Sequence, residues 1–294
     1  MKTLIYIVFL LYSNTIFTQI QGKLLDSITK KPVKYVNIWV ENKDIGTSSD
    51  ENGNFQFTKI DSTETLIFSS IGYKTFKTNV KNINSVILLQ PKSVNLSEIL
   101  IKKKGNTEIV IEKYKKGKIN YYLSCSNKPR IIGRFFIHND YYKKTPFIKS
   151  IKILTKSNIN KAKFNIRLYT INKEGEPENY LNHKLITGIA KKGKNNTIID
   201  ISELKIEYPE NGIFIAIEWL IIENNKYNFS YTMNKKKHKS ITYEPSIGTI
   251  PVNSNKNSWI YQKGVWKKIW KTKSSLKKYN KKYNLIAMEL TLSN

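Results

Sequence analysis

"VKYVNIWVENKDIGTSSDENGNFQF", Val33 to Phe57, is the stretch whose reading decides the fold. Its opening places Val36, Ile38 and Val40 on one side of an extended chain and Tyr35 and Trp39 on the other, the period of two that defines a strand. Phe55 and Phe57 resume the same alternation at its end. Between them Asp50, Asn52 and Asn54 alternate like the first ligands of a calcium loop. Such a loop needs glycine at its sixth position and a bidentate glutamate at its twelfth. Counting from Asp50, glycine comes fourth as Gly53, Phe55 comes sixth and Asp61 twelfth, so the stretch reads as a hairpin turn. Asp, Asn and Gly serve such a turn by bonding the backbone and tolerating positive φ. No metal is expected there.

Outward from this hairpin the pattern repeats. "QGKLLDS" is stopped by Pro32, and "TETLIFSSIGYKTFKTNV" turns Leu66 and Phe68 one way and Ile67 the other before breaking at Gly72. "SVILLQP" closes the set at Pro91. Seven short, antiparallel-looking strands in about seventy residues predict a small Greek-key sandwich over residues 19–92.

The residues that punctuate this segment are Gly22 with Asp26, Pro32, Val36 and Ile38, Gly46 with Thr47, Asp50, Gly53 and Phe55, and Ile71-Gly72-Tyr73. On them it resembles the carboxypeptidase-like regulatory domain, a transthyretin-like β-sandwich common in exported proteins of Bacteroidetes-type bacteria. The resemblance covers about a quarter of the chain. It implies a non-catalytic module that precedes the plug and barrel of outer-membrane receptors or forms part of other surface and periplasmic proteins. "LSEILI", Leu96 to Ile101, is similar to the extended motif that follows this domain in TonB-dependent receptors. The remaining sequence is too short for a spanning barrel.

Residues 93–130 are dense in lysine and read as a basic linker. From 131 to 294 a second β-rich domain is expected. "AKFNIRLYTI" sets Phe164, Ile166 and Leu168 against Asn165, Arg167 and Tyr169, and "FIKSIKIL", "IFIAIEWLII", "SWIYQKGVWKKI" and "NLIAMELTL" are among its further strands. Eight or nine strands separated by turn signals such as "KEGEPEN" and "YPENG" predict a jelly-roll-like sandwich, assigned to no family. The fold class is therefore all-β.

Residues 1–18, "MKTLIYIVFLLYSNTIFT", have one lysine and then an apolar run from Leu4 to Tyr12, below the roughly 20 residues that span a bilayer. They read as a signal peptide cleaved near Thr18 or Gln19, placing the protein in the periplasm, on the outer membrane or outside the cell. No transmembrane segment is expected in the mature chain. Cys125, the sole cysteine, has no neighbouring histidine or helix start to activate it and is expected to be structural.

The net charge of +28 raises the question of a polyanionic partner. Arg130, Arg134 and Arg167 are the only arginines, and lysine supplies every other cation. Guanidinium is the group suited to bidentate phosphate and base recognition, so nucleic acid is an unfavoured partner and the lysine excess reads as compositional drift.

His138, His183 and His238 stand apart, without a second histidine or a glutamate at zinc-motif spacing. No nucleophile elbow, phosphate-binding loop or paired-cysteine motif occurs, so no catalytic, cofactor or metal residue is assigned. Two places are candidate ligand surface. Glu218 and Trp219 stand mid-strand in "FIAIEWL", with Glu218 on the face of Phe214, Ala216 and Leu220, where it either emerges on a concave sheet or pairs with a nearby lysine. In "SWIYQKGVWKKIWKTK", Trp259, Tyr261, Trp266 and Trp270 interleave with lysines including Lys267 and Lys268, a composition that stacks on sugar rings or else fills a core. The sequence thus predicts a non-enzymatic, exported cell-envelope module that recognises a glycan or a protein. The alternative is an exported hydrolase or polysaccharide-processing accessory with its site in the C-terminal domain.

Overall fold

The computed structural model describes residues 18–92, 107–269 and 281–294. Apart from Thr18, the expected signal peptide lies outside them, as does Trp270.

Seven strands form the N-terminal sandwich: β1 (Thr18–Asp26), β2 (Asn37–Val40), β3 (Gly46–Ser48), β4 (Asn54–Ile60), β5 (Thr65–Ser69), β6 (Phe76–Asn79) and β7 (Val86–Leu89). They make two sheets, ordered β4-β1-β7 and β3-β2-β5-β6. Leu24, Val36, Ile38, Val40, Phe55, Phe57, Leu66 and Phe68 fill the space between. The alternation read for β2, β4 and β5 holds, with Ile38, Val40, Phe55, Phe57, Leu66 and Phe68 in this core and Trp39 and Ile67 on the opposite side. One expectation is corrected: β1 and β7 pair in parallel. Parallel neighbours need a long crossover, and here the whole β2–β6 segment supplies it.

The Asp50 turn is tied by its own carboxylate. Asp50 Oδ1 accepts the backbone N–H groups of Asn52 and Asn54, each at 2.8 Å, and Oδ2 accepts Asn54 Nδ2 at 3.1 Å. Gly53 sits at φ 76°, and a Cβ there would meet the Leu24 carbonyl oxygen at 2.5 Å. Since the carboxylate is engaged in holding the turn, calcium or EDTA is expected to leave the melting temperature unmoved. A rise of several degrees on adding calcium would contradict this, because a ligand bound to the folded state alone must stabilise it.

The C-terminal sandwich also has two sheets. Its front sheet holds β10 (Ile131–Phe136), β12 (Ala162–Ile171), β13 (Pro177–Tyr180), β14 (Ile186–Ala190), β16 (Ile213–Trp219), β19 (Ser258–Gln262) and β20 (Val265–Lys268). Its back sheet holds β8 (Glu108–Ile111), β9 (Tyr121–Cys125), β11 (Phe147–Ser157), β15 (Gly193–Asp200), β17 (Lys226–Met233), β18 (Lys236–Val252), β21 (Tyr283–Ile286) and β22 (Met288–Ser293). Ile132, Phe164, Ile166, Leu168, Ile213, Ile215, Ile217 and Trp219 from the front meet Ile151, Ile153, Ile247, Met288, Leu290 and Leu292 from the back.

These are more strands than the eight or nine expected, and two of them correct the linker. β8 pairs with β22 near the end of the chain, and β9 pairs with β18. Both are short alternating runs between lysine clusters, and each becomes a strand only when a partner more than a hundred residues away covers one of its faces. Of the linker range 93–130, residues 93–106 lie outside the described residues and the part from 107 on enters or borders the second sandwich. Cys125 is buried there, its thiol pushed up to about 12 by desolvation, with Sγ donating to the carbonyls of Ser126 and Lys128.

Candidate functional site: a cleft between the two sandwiches

The two sandwiches are docked. In the front sheet, β16 is buried along its whole length, because its outer face is covered as well as its inner one. Tyr35, at φ 58°, packs its ring against Leu220, Ile222 and Leu185. The Ser48 N–H donates to the Ile221 carbonyl at 3.2 Å, and Ser48 Oγ accepts the Ile221 N–H at 3.0 Å. Lys163 pairs with Glu51, and Asn165 Nδ2 donates to the Tyr35 carbonyl at 3.3 Å.

Beside this seam the sheets part and leave a cleft of about 540 Å³. One wall is the outer face of β2, β5 and β6, which presents Asn37, Trp39, Ile67, Ser69 and Lys77, with Glu41 and Asn42 just beyond. The other is the outer face of the front sheet and its β19–β20 hairpin, which presents Arg167, Tyr169, Tyr180, Tyr261 and Trp266, with Glu178 and Lys263 at the margin. Strand alternation puts Trp39, Ile67, Arg167, Tyr169 and Tyr261 there: each is the neighbour of a core residue turned the opposite way.

The floor is aromatic. Trp266 meets Phe214 at 5.0 Å, Tyr261 at 5.2 Å and Tyr169 at 5.8 Å between ring centroids. Tyr169 lies 4.8 Å from Tyr180, and Trp39 reaches across from the other sandwich to meet Tyr261 edge-on at 6.4 Å. The Phe214 ring lies over Gly133, close enough that a Cβ there would be 2.1 Å from it. Burial pushes the Tyr261 hydroxyl upward, and burial first and then Tyr180 push Tyr169 well above the ordinary phenol range. Both are neutral hydroxyls at any physiological pH.

At the bottom lies a buried ion pair. Arg167 grips Glu218 with two parallel bonds, Nε to Oε2 at 3.0 Å and Nη2 to Oε1 at 2.6 Å, while Asn165 Nδ2 adds a third at 3.1 Å. The remaining guanidinium nitrogen Nη1 donates to the Tyr180 hydroxyl. Burial works against the charged guanidinium, but the Glu218 carboxylate, ahead of the tyrosines, outweighs it and raises Arg167 well above its ordinary value. A bidentate pair of this kind is rigid and directional, so Arg167 is a fixed cation and Glu218 has no free oxygen to offer a ligand.

The sequence candidates divide accordingly. Tyr261 and Trp266 line the cleft. Glu218 is held beneath it, on the face expected, with an arginine rather than a lysine as its partner. Trp219 faces the other way, into the core, where its indole N–H donates to the Pro245 carbonyl at 2.6 Å, so it is no part of a ligand surface. Trp259 is buried, with the Lys268 ammonium 5.3 Å over its ring. Lys267 and Lys268 are exposed on β20 but do not line the cleft. Trp39, Arg167, Tyr169 and Tyr180 are site residues that sequence reasoning missed. Arg167 had a usable signal, as one of three arginines in a lysine-rich chain set in mid-strand. Among the described residues no group of three or more His, Cys, Asp or Glu side chains could hold a metal ion, and no helix is long and apolar enough to cross a membrane.

Residues 20–101 match the CarboxypepD_reg-like domain family, so the N-terminal sandwich is of the carboxypeptidase-regulatory type. No curated protein matches the chain. Among solved structures, that of the cysteine protease and lectin-like domains of Cwp84, a surface layer associated protein of Clostridium difficile, is 9% identical with a TM-score of 0.35, covering 89% of this chain and 59% of that one. A second structure of the clostridial cysteine protease Cwp84, a variant after propeptide cleavage, is 11% identical with a TM-score of 0.36, covering 89% and 65%. The chain spans less than two thirds of the length of either. Nothing about ligand or activity follows from likenesses this distant.

Proposed function

We propose that the protein is an exported, non-catalytic binding protein of the cell envelope that takes a glycan into the cleft between its two sandwiches. The observation that carries this reading is the make-up of the cleft. Trp39, Tyr261, Trp266 and Tyr180 supply ring faces for the apolar sides of sugar rings, Asn37, Ser69, Glu178 and Lys263 supply donors and acceptors for hydroxyls, and the fixed Arg167 lies beneath them as a positive charge. The volume falls within the range of ordinary ligand sites. A hydrolytic role would rest on Glu41 and Glu178, the carboxylates that line the same cleft. Glu41 is engaged by Lys77 at 2.7 Å, which supports the binding reading.

The test is a titration of the chain against a panel of envelope and plant oligosaccharides, scored for both binding and cleavage. Trp39→Ala and Trp266→Ala are each expected to weaken a binding glycan roughly fivefold or more, taking as a guide the roughly 1–3 kcal/mol that one aromatic ring contributes when it stacks on a base. Retained affinity in both variants, or release of reducing ends by the wild type, would contradict the proposal. Export rests on the apolar run after Lys2. The mature chain recovered from the envelope fraction is expected to lack about the first 18 residues by intact mass, and Met1 retained on cytoplasmic protein would count against it.

A further inference from the structure

Away from the cleft, β17 and β18 form an arm with no counterpart in the functional reading so far. β17 is the edge of the back sheet and, among the described residues, pairs with β18 alone. Over Lys236–Thr242, β18 in turn pairs with nothing but β17 among the described residues. The arm is therefore a two-stranded ribbon open on both faces, a form that is marginal in water unless something covers it. Nothing guards its outer edge: β17 contains no proline and its register is free of bulges.

One face of the ribbon is an aromatic ladder. Tyr227 and Phe229 lie 6.5 Å apart and nearly coplanar in tilt, at 9°, Phe229 and Tyr231 follow at 6.2 Å, and His238 from the opposite strand stacks on Tyr231 at 5.4 Å. Met233 ends the row. Phe229 is 38% exposed, Tyr231 45% and Met233 51%, and Ile241 on the other face is 39% exposed. Lys235 and Lys236 stand at the turn end of the ladder, and Lys237 and Lys239 share the other face with Ile241; all four are exposed and none is in an ion pair among the described residues. No acidic residue occurs between Glu223 and Glu244.

This composition chooses among partners. On the ladder face Phe229 and Met233 offer a sugar hydroxyl no strong hydrogen bond, and Lys235 and Lys236 at its turn end favour a partner that carries negative charge. A lipid surface with anionic headgroups meets both features. Aromatic and thioether side chains sit at the boundary between headgroups and acyl chains, and lysines on flexible stems reach the phosphates. We propose that this arm is a membrane-surface contact, lying on an anionic bilayer with Tyr227, Phe229, Tyr231 and Met233 turned into the interface and Lys235 and Lys236, at the turn end of that face, on the headgroups. The proposal does not depend on what occupies the cleft.

The test reads the arm itself, so that binding by any other part of the chain is not mistaken for it. Met233→Cys in the full chain takes an environment-sensitive fluorophore, while the buried Cys125 stays unlabelled. Vesicles of phosphatidylcholine with phosphatidylglycerol are expected to blue-shift and brighten the probe, and vesicles of phosphatidylcholine alone are not. Changing Lys235 and Lys236 to glutamine should weaken the response roughly thirtyfold, at about 1 kcal/mol for each. Phe229→Ser with Tyr231→Ser should weaken it roughly tenfold. Both sets are on exposed positions, and unchanged near-ultraviolet circular dichroism verifies that the sandwich is intact. An unchanged probe on anionic vesicles would overturn the proposal even if the chain co-sediments with them. So would an equal response to neutral vesicles, or a larger one to soluble polygalacturonate, which would make the partner an acidic glycan.

Discussion

Glu218→Ala lowers the stability of the folded chain by about 3–5 kcal/mol, seen as a drop in the urea midpoint at unchanged slope. The magnitude follows from what is left behind. Arg167 is buried, and without Glu218 its guanidinium keeps only the Tyr180 hydroxyl and no counter-charge, while Asn165 loses an acceptor. Dehydrating an uncompensated cation is far more costly than losing the pair itself. Replacing both partners, as Arg167→Met with Glu218→Leu, should therefore recover most of the loss. That double variant would still lack the fixed cation at the bottom of the cleft, so it separates stability from ligand binding. A Glu218→Ala change costing less than about 1 kcal/mol would mean that the pair does not hold Arg167 in place.

Gly133→Val is the second large effect. Gly133 lies in β10 opposite Ala216, and the Phe214 ring occupies the space its side chain would need. The collision is with a ring packed against Trp266, Tyr169 and Trp259, so it cannot be relieved by moving a flexible chain end. Overpacking of this kind costs about 1–3 kcal/mol, and the displaced ring carries the cleft floor with it. The variant is expected to melt lower and to lose glycan binding together. Gly133→Ala should show the same pattern at smaller size. Unchanged affinity in a folded Gly133→Val protein would show that the floor is not the binding surface.

How much of this is legible in the sequence can be judged strand by strand. In "AKFNIRLYTI" the alternation assigns the right faces: Phe164, Ile166 and Leu168 point into the core, and Asn165, Arg167 and Tyr169 point away from it. Alternation says only that the second set leaves the core. It does not say that another domain lies there, and so it puts Asn165 and Arg167 on the outer side of a strand when both are buried. Glu218 shows the same limit. Its face is right, but its partner depends on the register of β12 against β16, where Asn165 stands opposite Glu218 and Arg167 opposite Ala216. That register joins positions about fifty residues apart, and no local pattern encodes it. β10, "IIGRFF", escapes a reading by period because it is covered on both faces and shows no alternation at all. The aromatic strip is half legible: Tyr261 and Trp266 face the cleft, Trp259 is covered, and the choice among them is made by the N-terminal sandwich that Trp39 brings alongside.

The indole N–H resonances of the tryptophans test the cleft most directly. Each tryptophan gives one signal, and substitution assigns it. On adding a binding oligosaccharide, Trp39 and Trp266 should shift in step with occupancy, since they stand on opposite walls of the cleft. Trp219, bonded to the Pro245 carbonyl inside the core, should stay still, and so should Trp259 beneath Lys268. Movement of Trp39 and Trp266 together would place the ligand between the two sandwiches. A glycan that binds without shifting either of them would contradict the account.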